Sequence, residues 1–389
     1  MARPVLLLLL TACADPLDGL TVVGSDPPDL PLDGLDAPWR DRFDAGDALF
    51  ETPFTSAQGL GPLFIRPACA SCHADDGRGP GVVERMAGPP EVLPHGDAVR
   101  PQHTAGATQG VIAPADPRVV LTQRNPPAVF ARGWIEAVDA DALFALEAAQ
   151  AATDDGVSGR VARVAWPYAR EADTRFADHR PGDDALVGRF GLKARVATLD
   201  AFTADAFHGD MGLTSAWFPD EVPNPDALVD DALPGVDLDD ETVLLVADYV
   251  RLLDLPARAP ASADGEALFA AVGCAACHVP TLPTRADHPV EALAGRDAPL
   301  FTDLLLHDLG DDHDDGIVEG DAGPSEWRTA PLVGLRFFRR LMHDGRAATV
   351  VEAIEAHDGP GSEAAAAVAA WRALSHDDQR VLATHVSSL

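Results

Sequence analysis

Two five-residue runs, Cys69-Ala70-Ser71-Cys72-His73 and Cys274-Ala275-Ala276-Cys277-His278, constrain what this chain can fold into more than any other feature. A C-x-x-C pair brings two sulfurs to one side of a helical turn, and the histidine after it brings an imidazole to the same place. That set is the attachment pattern of a c-type haem, in which the thiols add to the vinyl groups and the imidazole reaches the iron. A bare C-x-x-C pair leaves zinc or a redox dithiol open, so the histidines decide. Histidine is 13 of 389 residues, which makes its place after both pairs a signal. The reading is therefore of two covalently held c-type haems, one on Cys69, Cys72 and His73 and one on Cys274, Cys277 and His278. A protein stapled by four-cysteine zinc is the alternative.

The fifth cysteine, Cys13, has a different setting. Arg3 precedes an apolar run from Val5 to Leu10, and Thr11-Ala12 follow, the order of a signal peptide. Leu10-Thr11-Ala12-Cys13 resembles the bacterial lipoprotein signal, in which the cysteine becomes the lipid-bearing first residue. Residues 1–12 then read as the signal peptide and residues 13–38, rich in Asp, Pro, Leu and Gly, as a tether. No other run approaches the roughly 18 apolar residues of a membrane span, so anchoring rests on acyl chains. The expected place is the cell envelope, facing the periplasm, and Ala14 after Cys13 leans toward the outer membrane. With four sulfurs on haem and one on lipid, no thiol remains for a disulfide or for thiol catalysis.

The Pro/Ala-rich stretch from Leu255 to Ser262 separates an N-terminal haem domain, 39–258, from a C-terminal cytochrome c-like haem domain, 259–389. Helical spacing marks Asp139 to Ala152, Leu199 to Phe207 and Glu241 to Leu253. Leu63-Phe64 and Leu268-Phe269 precede the two motifs at the same distance, a weak internal repeat that predicts a helix walling each porphyrin. The fold class is mainly α, with a long irregular section and a few short strands in the first domain. That section should shape the first haem's pocket and the contact between domains. Lys and Arg number 29 against 62 Asp and Glu, a net charge of −33, and Lys193 is the only lysine. Such a surface repels nucleic acid and suits either a basic, small electron-donor protein or plain solvation.

Function turns on the sixth iron ligand, because a strong one gives electron transfer and an open position admits an oxidant. Val350, Ala353, Ile354 and His357 share one helical face, with Thr349 placed to start the helix, which points His357 at the second haem. His307 and Met342 compete for that iron. His343 reads as a turn residue donating to a propionate or a carbonyl. For the first haem Met86, Met211, His95, His103 and His208 have no favouring context, so its sixth position is read as open or water-bound. Such a haem needs a group that moves protons, and Arg132 and Glu136, at i and i+4, are the candidates, a surface ion pair being the alternative. The Asp308 to Asp321 loop could hold calcium. Counted from Asp311, however, it has His313 and Ala322 where an EF-hand needs acids, so a solvated acidic loop is the other reading.

These residues resemble the bacterial di-haem oxidoreductases, described as peroxidases and also labelled thiol oxidoreductases with two cytochrome c haem sites. The resemblance runs from about Phe50 to Leu389. It is carried by Gln58 to Phe64, Asp76 to Gly79, Asp155 to Arg160, Gly188 to Gly191, Asp210 to Ser215, Asp303 to Asp308, Glu326 to Thr329 and His343 to Arg346. More distantly the chain is similar to di-haem cytochrome c peroxidases and MauG, where the residue 14 positions after the corresponding histidine ligates the second haem. Here that residue is His357. The resemblance implies that the second haem takes electrons from a partner and passes them to a reactive first haem, which meets peroxide or another small oxidant. Leu192 stands where the family usually has Trp, Leu309 replaces a Met, and the run from Asp358 to Glu363 is longer than usual. The expected function is an exported, peroxidase-like di-haem oxidoreductase; the alternative is a lipid-anchored di-haem electron carrier without catalysis.

Overall fold

The computed structural model describes residues 30–74, 82–165, 175–178, 185–229, 233–258 and 262–389. Cys13, the signal and most of the tether lie outside them, as do Asp76 to Gly79. Among the described residues the chain forms nine α-helices and short strands, 34% helical, so the mainly α expectation holds at that level.

The first half is built on α1 (Ala37–Glu51), α2 (Arg132–Ala137), α3 (Ala140–Ala151), α4 (Leu199–Met211) and α5 (Asp240–Leu252). Their starts follow capping chemistry: Asp36, Asp139, Thr198 and Asp239 each accept a hydrogen bond from the first turn of the helix they open. Helix α5 also carries Asp240 and Glu241 in its first turn and Arg251 in its last, matching the helix dipole. It lies against α1 at close range, because a Cβ on Gly46 would come within 2.2 Å of the Leu245 carbonyl oxygen. The second half has α6 (Ala263–Ala271), α7 (Val350–Glu355), α8 (Ala365–Ala373) and α9 (His376–Ser387), with α6 packed on α9.

The strands pair only in antiparallel twos. β1 (Leu63–Phe64) joins β3 (Gln102–His103), β2 (Val83–Ala87) joins β4 (Val120–Arg124), and β5 (Arg163–Ala165) joins β6 (Ala185–Val187). In the second half β7 (Leu282–Pro283) joins β8 (Asp297–Ala298), and β9 (Leu306–Asp308) joins β10 (Glu326–Arg328). The longest strands have five residues, so the ladders brace loops and the helices carry the core.

One expectation changes. Phe269 lies on α6, as the repeat predicts, but Phe64 lies on β1, and the aromatic beside His73 is instead Phe50 of α1, with ring centres 6.3 Å apart. The two halves also share one hydrophobic core, a single buried cluster running from Leu32 to Leu389. Main-chain hydrogen bonds cross between them, from Arg285 N to Ala137 O and from Arg160 N to Leu306 O.

Candidate metal centres

At the second motif Cys274–Ala276 form a single 3-10 turn and His278 N donates to Cys274 O at 2.9 Å, so both sulfurs and the imidazole leave one turn of chain. The His278 ring lies against that of His357, with centres 6.4 Å apart and planes at 72°. A metal ion between two imidazoles needs two bonds of roughly 2 Å plus about 1 Å from each nitrogen to its ring centre, about 6 Å in all. The distance between ring centres fits one metal ion held by both imidazoles.

Both rings are prepared for that role. His278 Nδ1 lies 3.0 Å from Phe301 O and His357 Nδ1 lies 2.6 Å from Ala353 O, and donation from Nδ1 leaves Nε2 with the lone pair. Burial, reinforced by His357, pulls the His278 pKa down to about 4, and burial lowers that of His357. Each is therefore a neutral imidazole at neutral pH, the form that binds metal. Thr349 accepts from Glu352 N at the start of α7; the helix ends at Glu355, and His357 stands just past it, fixed by Ser362 Oγ donating to its carbonyl at 2.6 Å. Both histidines line a cavity of about 410 Å³ whose walls include Phe130, Ile135, Phe269 and Leu335. Asp155 and Val157 belong to the same wall, so the irregular middle section shapes the second cavity.

Of the two rivals for this position, Met342 lines the same cavity, whereas His307 is otherwise engaged. His307 Nε2 bonds Asp303 Oδ2 at 2.9 Å and Nδ1 bonds Glu363 Oε2 at 2.7 Å, with Cys277 Sγ 3.7 Å away. Burial alone would lower its pKa, but bonds to Asp303, Cys277 and Glu363 push it up to about 12, so it is an imidazolium with both nitrogens donating. Gln150 joins this clamp to the motif, its Nε2 donating to Asp303 and to Ala276 O at 2.9 Å each. His343 stacks flat on Trp327 at 3.6 Å, and burial together with His313, Arg346, Arg124 and Lys193 drives its pKa down to about 2. It is a neutral ring in the cavity wall.

At the first motif Cys69–Ser71 make the same turn, and His73 N donates to Cys69 O at 3.0 Å. Burial, with Asp210 next, raises the Cys69 thiol to about 12 and the Cys72 thiol to about 11; burial raises Cys274 to about 11. Thiols so protonated are poor nucleophiles, which speaks against the thiol oxidoreductase label. The Ile65 amide donates to Asp210 O at 2.6 Å and fastens the end of α4 to the segment entering the motif. Burial and Asp205 raise the Asp210 carboxyl to about 6. Met86 and Met211 are core residues, His208 Nε2 bonds Asp220 O at 2.8 Å, and His103 is exposed.

Arg132 and Glu136 have partners other than each other. Glu136 is 1% exposed; it bonds the buried Arg251 and accepts from Leu199 N at 2.8 Å, while Arg132 Nε donates to Ala128 O at 2.6 Å. Arg251 also holds Asp200 and Asp248, with Arg175 and Arg42 as further cations, so Glu136 belongs to a buried ion cluster. The Asp308 to Asp321 loop does not gather its acids for calcium. Asp315 pairs with Arg124 and Lys193, while Asp308 and Asp314 accept from Gly310 N and Gly316 N within the loop. Among the described residues the one convergent ligand group is Cys277, Asp303 and His307, so the four cysteines make no common zinc site.

Sequence reasoning missed the Asp303–His307–Glu363 clamp and the Arg251 cluster. The i, i+4 spacing of Asp303 and His307 was visible, but Glu363 arrives from far along the chain.

Two C-x-x-C-H turns, one with a second neutral imidazole beside its own in the wall of a largely apolar cavity, mark a di-haem protein of the oxidoreductase class. The family model described as "Di-haem oxidoreductase, putative peroxidase" matches residues 109–389, well over half of the chain, and the chain belongs to that family. The match begins after the first motif, so the first haem rests on Cys69, Cys72 and His73 themselves. A solved chain of hydrazine synthase from Kuenenia stuttgartiensis aligns over 100% of both chains at 14% identity with a TM-score of 0.35, too loose a likeness to define the fold. No curated protein matches the chain significantly.

Proposed function

We propose that this protein is an exported, lipid-anchored di-haem enzyme of peroxidase type, built of two cytochrome c-like haem units. Cys69 and Cys72 would hold one haem covalently with His73 as ligand; Cys274 and Cys277 would hold the other with His278 and His357. When bound, the haems would supply one-electron chemistry: relay from a small donor protein at Cys274, Cys277, His278 and His357, and reaction with peroxide or another small oxidant at Cys69, Cys72 and His73. The observation that carries the reading is the pairing at the second motif, where His278 has a neutral imidazole, His357, 6.4 Å away. Two strong ligands suit relay.

The chain's own residues do the rest. Backbone carbonyls of Phe301 and Ala353 orient the two imidazoles, and the cavity they line is largely apolar. The His307 clamp fixes the chain beside Cys277. Reducing a peroxide to an alcohol and water consumes two electrons and two protons, so the donor is a redox protein, and the net charge of −33 favours a basic one. Cys13 would carry the lipid and place the enzyme in the cell envelope, facing the periplasm.

The test is spectroscopic. The reduced protein should show c-type bands that survive acid-acetone extraction, and EPR of the oxidised protein should count one high-spin and one low-spin iron. His357→Ala should turn only the low-spin iron high-spin, and cyanide should bind the other in the unmodified protein. Two low-spin irons indifferent to cyanide and peroxide would make the protein an electron carrier instead.

A further inference from the structure

The acidic loop after Asp308 needs a cation, and the fold delivers one. Lys193, the only lysine among 389 residues, has a fully buried side chain. Its Nζ donates to three backbone carbonyls, Gly323 O and Pro324 O at 2.7 Å and Ile317 O at 3.1 Å, and lies 3.1 Å from Asp315 Oδ1. The ammonium also faces the Trp327 ring, 4.3 Å from its centre. Carbonyls, a carboxylate and an aromatic face converging on one point make a cation site, filled here by a side chain.

We propose that Lys193 is a tethered cation: its ammonium occupies a site that would otherwise take a free monovalent cation of the ammonium or potassium class. Size and charge select that class. Calcium needs six to eight oxygens at about 2.3–2.6 Å and magnesium an octahedron at about 2.0–2.1 Å. The oxygens here stand 2.7–3.1 Å from the centre, the range of an N–H···O bond and too wide for either divalent ion. The charges around the cage also disfavour a divalent ion. Asp315 and Glu319 face it, but Arg124 already pairs with both, and Arg195 and Arg85 pair with Glu319 and also with Asp205 and Asp97, so four carboxylates stand against three guanidinium groups. One positive charge completes the set.

The cage acts on the second haem cavity through Trp327. The indole has Lys193 on one side and His343 stacked at 3.6 Å, its Nε1 donates to His313 O at 2.9 Å, and both Trp327 and His343 line the cavity. A fixed ammonium therefore holds the segment from Ile317 to Trp327 in the shape the wall needs, with no dependence on dissolved ions.

The experiment compares the wild-type holoprotein with Lys193→Met, which keeps the apolar stem and removes the charge. Melting is followed at equal ionic strength in potassium, ammonium, lithium, tetramethylammonium and calcium salts. The wild type should melt at the same temperature in potassium and lithium and be indifferent to a chelator. The variant should melt several degrees lower in lithium or tetramethylammonium and recover most of the loss in potassium or ammonium, with a saturable concentration dependence. Equal melting of the variant in every salt would overturn the proposal, as would recovery by calcium alone. If the variant does not accumulate in cells, an amine-acylating reagent applied to the wild type, read by peptide mass at Lys193, decides. Modification only after unfolding supports the cage, and prompt modification of the native protein overturns it.

Discussion

Arg251→Met, with Glu136→Gln beside it, is the perturbation that separates two roles for Glu136. Arg251 is fully buried and faces three carboxylates, Glu136, Asp200 and Asp248, each at most 1% exposed. Arg175, on Asp200 and Asp248, and Arg42, on Asp248, bring the cations to three, so the buried cluster is neutral. Arg251 also lies 3.5 Å from the centre of the Phe176 ring. Replacing it by Met leaves three buried carboxylates with two cations at their edge. Breaking a buried pair by removing one partner costs about 3–5 kcal/mol. At about 2 °C per kcal/mol for a chain of this size, the melting temperature should fall by about 6–10 °C. Glu136→Gln keeps an acceptor for the Leu199 amide and loses one charged hydrogen bond, about 1.5–3 kcal/mol and so about 3–6 °C. Melting is followed by circular dichroism on the haem-loaded protein, and peroxide turnover is measured well below both transitions. The variant with Gln should turn over at close to the wild-type rate, whereas loss of a proton-transfer group costs roughly 100- to 10,000-fold. Unchanged melting of both variants together with such a loss of turnover in Glu136→Gln would refute the assignment of Glu136 to the ion cluster.

Two further outcomes follow from the second centre. Against burial, Asp303 and Glu363 raise the His307 pKa above its usual 6.5, so its contribution to stability is whole below pH 6.5 and is lost as pH rises through the raised value. The wild-type melting temperature should therefore decline from pH 7 to 10 more steeply than that of His307→Gln; parallel curves would mean that His307 is not a fixed imidazolium. Its partners run the other way: Asp303 and Glu363 are lowered, so their stabilisation is present above the usual carboxylate range and lost on acidification through it. Thr349→Ala removes the cap of α7, a loss of about 1 kcal/mol. Because His357 stands just beyond that short helix, a high-spin fraction should appear at the second haem in EPR, and a wholly low-spin signal would separate the cap from the ligand.

Much of this site was legible in the chain because its information is local. A C-x-x-C-H run places its own sulfurs and imidazole within one turn, and the i, i+3, i+4, i+7 pattern from Val350 put His357 on the face of Ile354. The helix that carries the pattern is shorter than the pattern, and a hydrogen bond from the later Ser362 finishes the job. The spacing of Leu63-Phe64 misled for a related reason: the same two residue types stand in a strand before one motif and a helix before the other, because tertiary partners decide between the two.

By itself the sequence determined what is local: two C-x-x-C-H turns with their histidines, the caps that start the helices, and a large acidic charge excess. Only the tertiary structure decided which charges are buried together. Glu136 was drawn from a proposed proton relay into the grip of Arg251, His307 from a proposed ligand into a two-carboxylate clamp, and the acidic loop from a proposed calcium site onto Lys193. The physical reason is the same in each case. A buried charge must find its partner, and the partners lie 115, 56 and 122 positions away along the chain, beyond the reach of any local pattern.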